Sequence, residues 1–147
     1  MPVTFTRQGT LRPGTIWLTW QEIDRVFGWT AHRRQLLEGL KRALGDLKVA
    51  GCQTAYIDGS FVTTKERPND FDACWDRTGV DLRRLLNTRL WTFDRGRPTQ
   101  KGVYGGELLP ADAQADIANR RFLDFFQIDK ESGKLKGIVA NDLRSLL

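Results

Sequence analysis

The chain has 147 residues, a net charge of +5 and 40% hydrophobic residues, proportions typical of one globular domain with a real core. No apolar run approaches the roughly 20 residues that a bilayer requires, and the first 20 residues lack the apolar region of a secretory signal. Two cysteines and one histidine exclude a disulfide scaffold and argue against a zinc centre. We therefore expect one cytoplasmic domain over residues 1–147, with no membrane partner and with a basic surface that suits polyanions.

The N-terminal third predicts an extended arm followed by two helices. Residues 1–15 contain two prolines and two glycines and are predicted to be extended. Thr19 and Glu22 have the spacing of a capping box and open a short helix. Thr30 caps a long amphipathic helix that ends before Gly51. Its apolar stripe consists of Leu36, Leu37, Leu40, Leu44 and Leu47, and its basic residues, placed largely off that stripe, are Arg33, Arg34, Lys41, Arg42 and Lys48.

The rest of the chain alternates short apolar runs with turn-forming residues. The pattern predicts strands over 53–58, 70–76 and 102–109, helices over 79–86 and 112–126, and a C-terminal tail over 127–147. This order of elements indicates an α+β domain that has a small mixed β-sheet with flanking helices.

Two carboxylates, Asp70 and Asp72, open the second predicted strand. Side chains alternate along a strand, so these two share a face while Phe71 points into the opposite layer. At about 7 Å apart along the backbone they repel each other unless a cation lies between them. Mg²⁺, or Mn²⁺ in its place, prefers such hard oxygen ligands. The alternative to a metal site is that Asp70 and Asp72 are solvated residues on the exposed face of an edge strand.

Gly59 and Ser60 directly follow the first predicted strand, and nine residues separate Ser60 from Asp70. Glycine adopts positive φ and lets the backbone approach an anion closely, and a helical turn that begins at Ser60 would present amides to phosphate. Lys65 lies in the intervening loop and Lys101 precedes the third predicted strand. Either lysine can neutralise triphosphate charge, and solvated loop charges are the alternative for both.

The segment Tyr56-Ile57-Asp58-Gly59-Ser60 followed by Asp70-Phe71-Asp72 resembles the signature of the polymerase-β-like nucleotidyltransferase superfamily. It resembles especially the small bacterial minimal nucleotidyltransferases that are associated with toxin–antitoxin systems. The resemblance covers residues 54–109 and implies a nucleotidyltransferase-like fold with its catalytic-type core there. It also implies Mg²⁺, a nucleoside triphosphate such as ATP, and a protein or RNA hydroxyl as acceptor. Gly59 and Ser60 would then hold the β- and γ-phosphates, and Asp70 and Asp72 the metal.

A site of this kind needs a third carboxylate from another strand. Glu107 is the only acid in the third predicted strand, where Val103, Gly105, Glu107 and Leu109 alternate onto one face. By the resemblance, Glu107 falls where the family's third acid lies, and it would bind metal and accept or steer the proton of the attacking hydroxyl. Asp58 and Asp76 remain rivals for this position.

The chain departs from the family's pattern at several positions. Phe61-Val62-Thr63 lacks the small residue and glycine common there, Asn69 stands where a serine is usual, and the third acid is Glu rather than Asp. A cluster formed by Trp17, Trp20, Trp29 and Phe27 is either a secondary core or a partner-binding surface. These features favour the alternative to an enzyme: a non-catalytic module, such as the antitoxin half of a bacterial two-gene system, whose partner protein comes from a neighbouring gene.

Overall fold

The computed structural model describes residues 3–146, so the outermost residues of the predicted arm (1 and 2) and of the predicted tail (147) lie outside it. The strands are β1 (Gly14–Trp17), β2 (Thr54–Asp58), β3 (Phe71–Trp75), β4 (Gly106–Pro110) and β5 (Gly137–Asp142). The helices are α1 (Trp20–Phe27), α2 (Ala31–Val49), α3 (Leu82–Leu85), α4 (Pro98–Tyr104) and α5 (Phe122–Phe125), with single 3-10 turns at Ser60–Val62 and Leu143–Ser145. The predicted α+β class, a small mixed sheet with flanking helices, is confirmed.

One five-stranded sheet runs through the molecule in the order β1-β5-β2-β3-β4. The outer pairs β1/β5 and β3/β4 are parallel, and β2 is antiparallel to both of its neighbours. The leucine stripe of α2 belongs to the main core, together with Ile57, Phe71 and Val139 from the sheet. On the other face, Cys74, Leu109 and Ile138 form a smaller core beneath the α5 segment.

The first two helices confirm their predicted signals. Thr19 and Glu22 form both halves of the capping box of α1, and the Thr30 side chain accepts a hydrogen bond from the Arg33 amide at the start of α2. Gly51 has a φ of 99°, the left-handed geometry that ends a helix. Among the described helices, none combines the length and the apolar character that crossing a membrane requires.

Two predicted elements between residues 98 and 126 are wrong in part. The strand predicted over 102–109 begins only at Gly106, because Pro98 starts α4 and Gly105, at φ 91°, ends it. The helix predicted over 112–126 is reduced to α5. Residues 112–121 instead form a loop closed by a bridge between Gln114 and Arg121.

The predicted arm and tail both contribute to the sheet. The last two residues of the predicted extended arm, 14 and 15, begin β1, and residues 137–142 of the predicted tail form β5, which lies between β1 and β2. Five of the six residues of β5 are buried. A strand covered on both faces reads as a continuous apolar run without alternation, so Ile138-Val139-Ala140 gave no period-two signal.

Candidate functional site

Three carboxylates lie side by side across three neighbouring strands. In the antiparallel β2/β3 pair Asp58 lies opposite Asp72, and in the parallel β3/β4 pair Asp72 lies beside Glu107. We call Asp58, Asp72 and Glu107 the acidic row. Because Ile57 and Phe71 face the main core, the acidic row is on the opposite face of the sheet from α2. Asp70 immediately precedes β3 and adds a fourth carboxylate beside the row.

The environment of Asp58 and Asp72 disfavours the ionised forms of these two carboxyl groups. Asp58 is only 3% exposed, and burial raises its pKa, against the lowering effect of Lys136. Burial also raises the pKa of Asp72, to about 7, and the negative charges of Glu107, Asp70 and Asp58 raise it further. Near neutral pH Asp72 is therefore partly protonated in the folded chain.

Basic side chains contact three of these four carboxylates. The Arg97 Nε donates to Glu107 Oε2 at 2.7 Å. The Lys136 Nζ lies 3.2 Å from Asp58 Oδ1, and the Lys101 Nζ lies 3.9 Å from Asp70 Oδ2. Among the ion pairs of residues 3–146, none includes Asp72. Asp72 thus carries the least compensated charge at the centre of the row.

The Gly59 turn lies against the carboxylate of Asp72. Gly59 has a φ of 85°, as the sequence predicted, and Ser60 opens the 3-10 turn that follows. A Cβ atom added at Gly59 would lie 2.8 Å from Asp72 Oδ2 and 3.2 Å from Asp72 Cγ. The glycine is therefore required both by its backbone conformation and by the space that Asp72 occupies.

The loop between Ser60 and Asp70 is held by a buried arginine. Arg33 is fully buried, and its guanidinium donates to the carbonyl oxygens of four residues: Phe27, Phe61, Thr63 and Lys65. Its guanidinium carbon lies 4.8 Å from the ring centre of Trp29 and 5.2 Å from that of Phe61. The prediction that Arg33 lies off the buried face is wrong, because the loop folds back over the first turn of α2 and covers it.

The remaining predicted residues differ in their relation to the row. Lys101 reaches Asp70, whereas Lys65 lies in the exposed loop and no ion pair within the described chain includes its ammonium group. Asp76 is four residues from Asp72, about 13 Å along the strand. It lines a separate cavity of about 390 Å³ with Tyr56 and Arg77, and its Oδ1 accepts a hydrogen bond from the Thr78 amide.

Sequence reasoning missed Arg97 and Lys136. Arg97 and Lys101 are four residues apart at the start of α4, a spacing that puts both on one helix face. The signal for that helix was Pro98 at its first position, which was interpreted as part of a loop. Lys136 immediately precedes β5. Because the sequence predicts a C-terminal tail there, no pattern places Lys136 near Asp58.

The donor chemistry of the row fits a hard divalent cation. Carboxylate oxygens on one face, with Asp72 short of positive charge, are the ligands that Mg²⁺ prefers. Within residues 3–146, however, no group of three or more acidic, histidine or cysteine side chains is gathered closely enough to hold a metal ion as it stands. Arg97 and Lys101 form ion pairs with Glu107 and Asp70. A metal ion bound by these carboxylates would have to displace both basic side chains.

Comparison with known proteins identifies a family and assigns no function to it. No curated protein and no solved structure matches the chain. One family model, described as a family of unknown function (DUF6932), matches residues 3–142, which is nearly the whole chain. The chain therefore belongs to the DUF6932 family.

Proposed function

We propose that the protein is a Mg²⁺-dependent nucleotidyltransferase with a nucleotidyltransferase-like fold. The observation that carries this proposal is the acidic row, in which carboxylates from three adjacent strands share one face beside Asp70 and directly after the Gly59 turn. A buried row of like charges is costly to keep, and perturbed acids of this kind concentrate at functional sites.

Each residue has a defined role in this proposal. Asp70, Asp72 and Glu107 would hold Mg²⁺, which supplies charge neutralisation of the triphosphate and of the attacking hydroxyl. The backbone at Gly59 and Ser60 would contact the β- and γ-phosphates, and Lys101 and Lys65 would add positive charge. Asp58 forms an ion pair with Lys136 at the β2 end of the row. It would act on Asp72 through its negative charge, from the side opposite Glu107.

The proton of the acceptor hydroxyl is assigned to Glu107. Its carboxylate lies beside Asp72 at the β4 end of the row, and its side chain is 13% exposed. Attack of a protein or RNA hydroxyl on the α-phosphate of a nucleoside triphosphate would form the new phosphodiester bond and release pyrophosphate. Glu107 would accept or steer the hydroxyl proton in that step.

Label transfer tests the activity. The purified protein is incubated with Mg²⁺, each of four α-labelled nucleoside triphosphates, and cell extract, and labelled protein and labelled RNA are separated. We expect label in one of these fractions with the natural chain and with Asp76→Asn, whose carboxylate lies outside the row. Asp72→Asn should lose at least about a hundredfold, because it removes the central carboxylate. Equal labelling by Asp72→Asn would contradict the proposal.

A second function is favoured by the ion pairs and by two exposed tryptophans. Arg97 and Lys101 compensate the acids without a metal, and the side chains of Trp17 and Trp29 remain 54% and 50% exposed while Trp20 and Phe27 are buried. A non-catalytic module would use these features for structure and for partner binding. A stable complex with the product of a neighbouring gene, together with no label transfer, would favour this function.

A further inference from the structure

The excess positive charge of the chain is concentrated in one stretch, residues 82–103. Of the 18 acidic residues in the chain this stretch contains only Asp94, and of the 23 basic residues it contains six: Arg83, Arg84, Arg89, Arg95, Arg97 and Lys101. Six positive charges less one negative charge give the stretch a net charge of +5, which equals that of the whole chain. Opposite charges balance over the other residues, so the excess that attracts polyanions lies here.

Buried residues anchor this stretch to the fold and leave most of its cations outside. Leu85 and Leu90 are fully buried. The Gln100 side chain, from α4, donates to the carbonyl oxygens of Arg89 and Leu90 at 3.2 and 3.3 Å. The backbone that carries the cations is therefore fixed, and four of their side chains are exposed: Arg83, Arg84, Arg89 and Arg95.

The four exposed arginines are poorly compensated. Among the ion pairs of residues 3–146, none includes Arg89 or Arg95. Arg83 and Arg84 share one carboxylate, that of Asp81, at 3.5 and 3.8 Å. Four positive charges thus meet one negative charge at this surface.

The one acid within the stretch is turned inward. The Oδ1 atom of Asp94 is buried, and its Oδ2 atom accepts a hydrogen bond from the Thr99 hydroxyl at 2.6 Å. Arg97 and Lys101 are paired with carboxylates of the candidate site and contribute no free charge to this surface. The surface therefore depends on the arginines before α4.

Helix α2 adds a further arginine at the edge of this surface. Arg42 is exposed, and its Nη2 donates to the Val103 carbonyl oxygen at 2.8 Å. Arg42 and Arg89 line the same cavity of about 470 Å³. The carboxylate in that cavity belongs to Asp46, and its Oδ2 accepts a hydrogen bond from the Tyr104 hydroxyl at 2.9 Å. Two guanidinium groups at one cavity suit the oxygens of a phosphodiester.

An exposed aromatic ring lies in sequence between two of the uncompensated arginines. Phe93 is 40% exposed, and its ring centre lies 5.1 Å from that of Trp91. Trp91 in turn packs on the buried Trp75, with ring centres 6.2 Å apart. Aromatic rings beside arginines bind unpaired bases by stacking, whereas the bases of a duplex are already stacked on one another.

We infer that residues 82–95, together with Arg42 of α2, form a surface that binds single-stranded nucleic acid. The exposed arginines contact the phosphates, and Phe93 stacks on a base. Single strands of RNA and of DNA share this chemistry. The inference depends neither on nucleotidyl transfer nor on a metal, so it is tested in EDTA without nucleoside triphosphate.

The salt dependence of binding is the test. Fluorescence anisotropy measures binding of labelled oligouridine and oligothymidine, each of about 12 nucleotides, to the purified chain between about 50 and 200 mM salt. We expect the logarithm of the binding constant to fall with the logarithm of the salt concentration with a slope of about −2 to −3, as for three or four phosphate contacts. The double variant Arg89→Gln, Arg95→Gln should bind at least about tenfold more weakly, with a slope shallower by about 1.4. The tighter of the two oligonucleotides identifies the natural sugar.

Matched variants separate this surface from general charge attraction. Arg7→Gln with Arg12→Gln removes the same charge from exposed residues before β1, at the edge of the sheet opposite β4, and should leave binding nearly unchanged. Phe93→Leu should bind at least about fivefold more weakly with the same slope, because it removes stacking and no phosphate contact.

Several results would overturn the inference. These are no saturable binding of either single strand, equal weakening by the two double variants when circular dichroism shows both to be folded, and equally tight binding of a duplex or of polyglutamate. Each leaves the proposed nucleotidyl transfer untouched. Failure of label transfer with intact oligonucleotide binding would overturn the proposed function alone.

Discussion

Asp72 is the residue on which the electrostatics of the site depend. Burial is the largest cause of its raised pKa, about 7 against an ordinary 3.8, and the charges of Glu107, Asp70 and Asp58 add to it. Between these two pH values the folded protein holds a proton on Asp72 that the unfolded chain has already lost. The contribution of this proton to stability is therefore complete below about pH 4 and is lost as the pH rises through about 7.

Asp72→Asn should remove this pH dependence. We expect the free energy of unfolding of the natural chain to fall by about 4 kcal/mol relative to that of the variant between about pH 4 and pH 7.5. Urea unfolding at several pH values measures the difference. Parallel pH profiles for the two proteins would show that Asp72 has an ordinary pKa in the folded chain. They would contradict the statement that burial and neighbouring charges perturb this carboxyl group.

Gly59→Ala tests the contact between the turn and Asp72. The new Cβ would lie 2.8 Å from Asp72 Oδ2 in a backbone conformation that alanine disfavours, so we expect a loss of about 1–3 kcal/mol in the free energy of unfolding. Gly45→Ala is the control, because Gly45 is in α2 with no atom within 4 Å of its added Cβ, and it should stabilise by about 0.5–1 kcal/mol. Both values come from chemical denaturation.

Arg33→Met tests whether the buried arginine holds the loop over the first turn of α2. The change leaves four carbonyl oxygens without their donor, so we expect a loss of about 3 kcal/mol. Arg34→Met removes a 58% exposed side chain with a 3.7 Å ion pair to Asp24, and it should change stability by less than about 0.5 kcal/mol. Similar losses for the two variants would contradict the loop-holding role.

At the scale of elements, the sequence predicted those with local signals and missed those defined by distant partners. The capping residues Thr19 and Thr30 and the α2 leucine stripe act within a few turns of chain, and both helices were predicted correctly. β5 has no such signal, because its pairing with β1 and β2 involves residues more than 80 positions away. The alternation of residues 102–109 predicts a strand, whereas residues 102–104 belong to α4, which begins at Pro98 and ends before Gly105.

The position of β5 inside the sheet predicts where the C-terminal segment contributes stability. Val139 is fully buried and pairs with Ile16 on one side and Ile57 on the other. Val139→Ala should therefore cost about 2 kcal/mol in the free energy of unfolding. Leu135, four residues earlier and 68% exposed, gives the matched change Leu135→Ala, which should cost less than about 0.5 kcal/mol. Equally small losses of stability in the two variants would indicate that the C-terminal segment lies at the periphery and not inside the sheet.

At the scale of the whole molecule, the acids of the candidate site and one cation, Lys101, were predicted, whereas the counterions Arg97 and Lys136 were not. Alternation along β3 and the family resemblance singled out Asp70, Asp72 and Glu107, and the structure brings Asp72 and Glu107 into register. The cations come from α4 and from the residue before β5, the two regions whose structure was predicted wrongly. Local patterns thus identified the acids of the candidate site, whereas the balance of charge around them depends on the tertiary fold.

We propose that Asp70, Asp72 and Glu107 bind a divalent metal together with a nucleoside triphosphate. The most direct test is the midpoint temperature of unfolding at pH 8, with and without Mg²⁺ plus ATP, for the natural chain and for the double variant Asp70→Asn, Asp72→Asn. Ligand that binds only the folded state raises this temperature by mass action. We predict a rise in the natural chain that is lost in the double variant. An equal rise in both proteins, or no rise in the natural chain with any of the four common triphosphates, would contradict the claim.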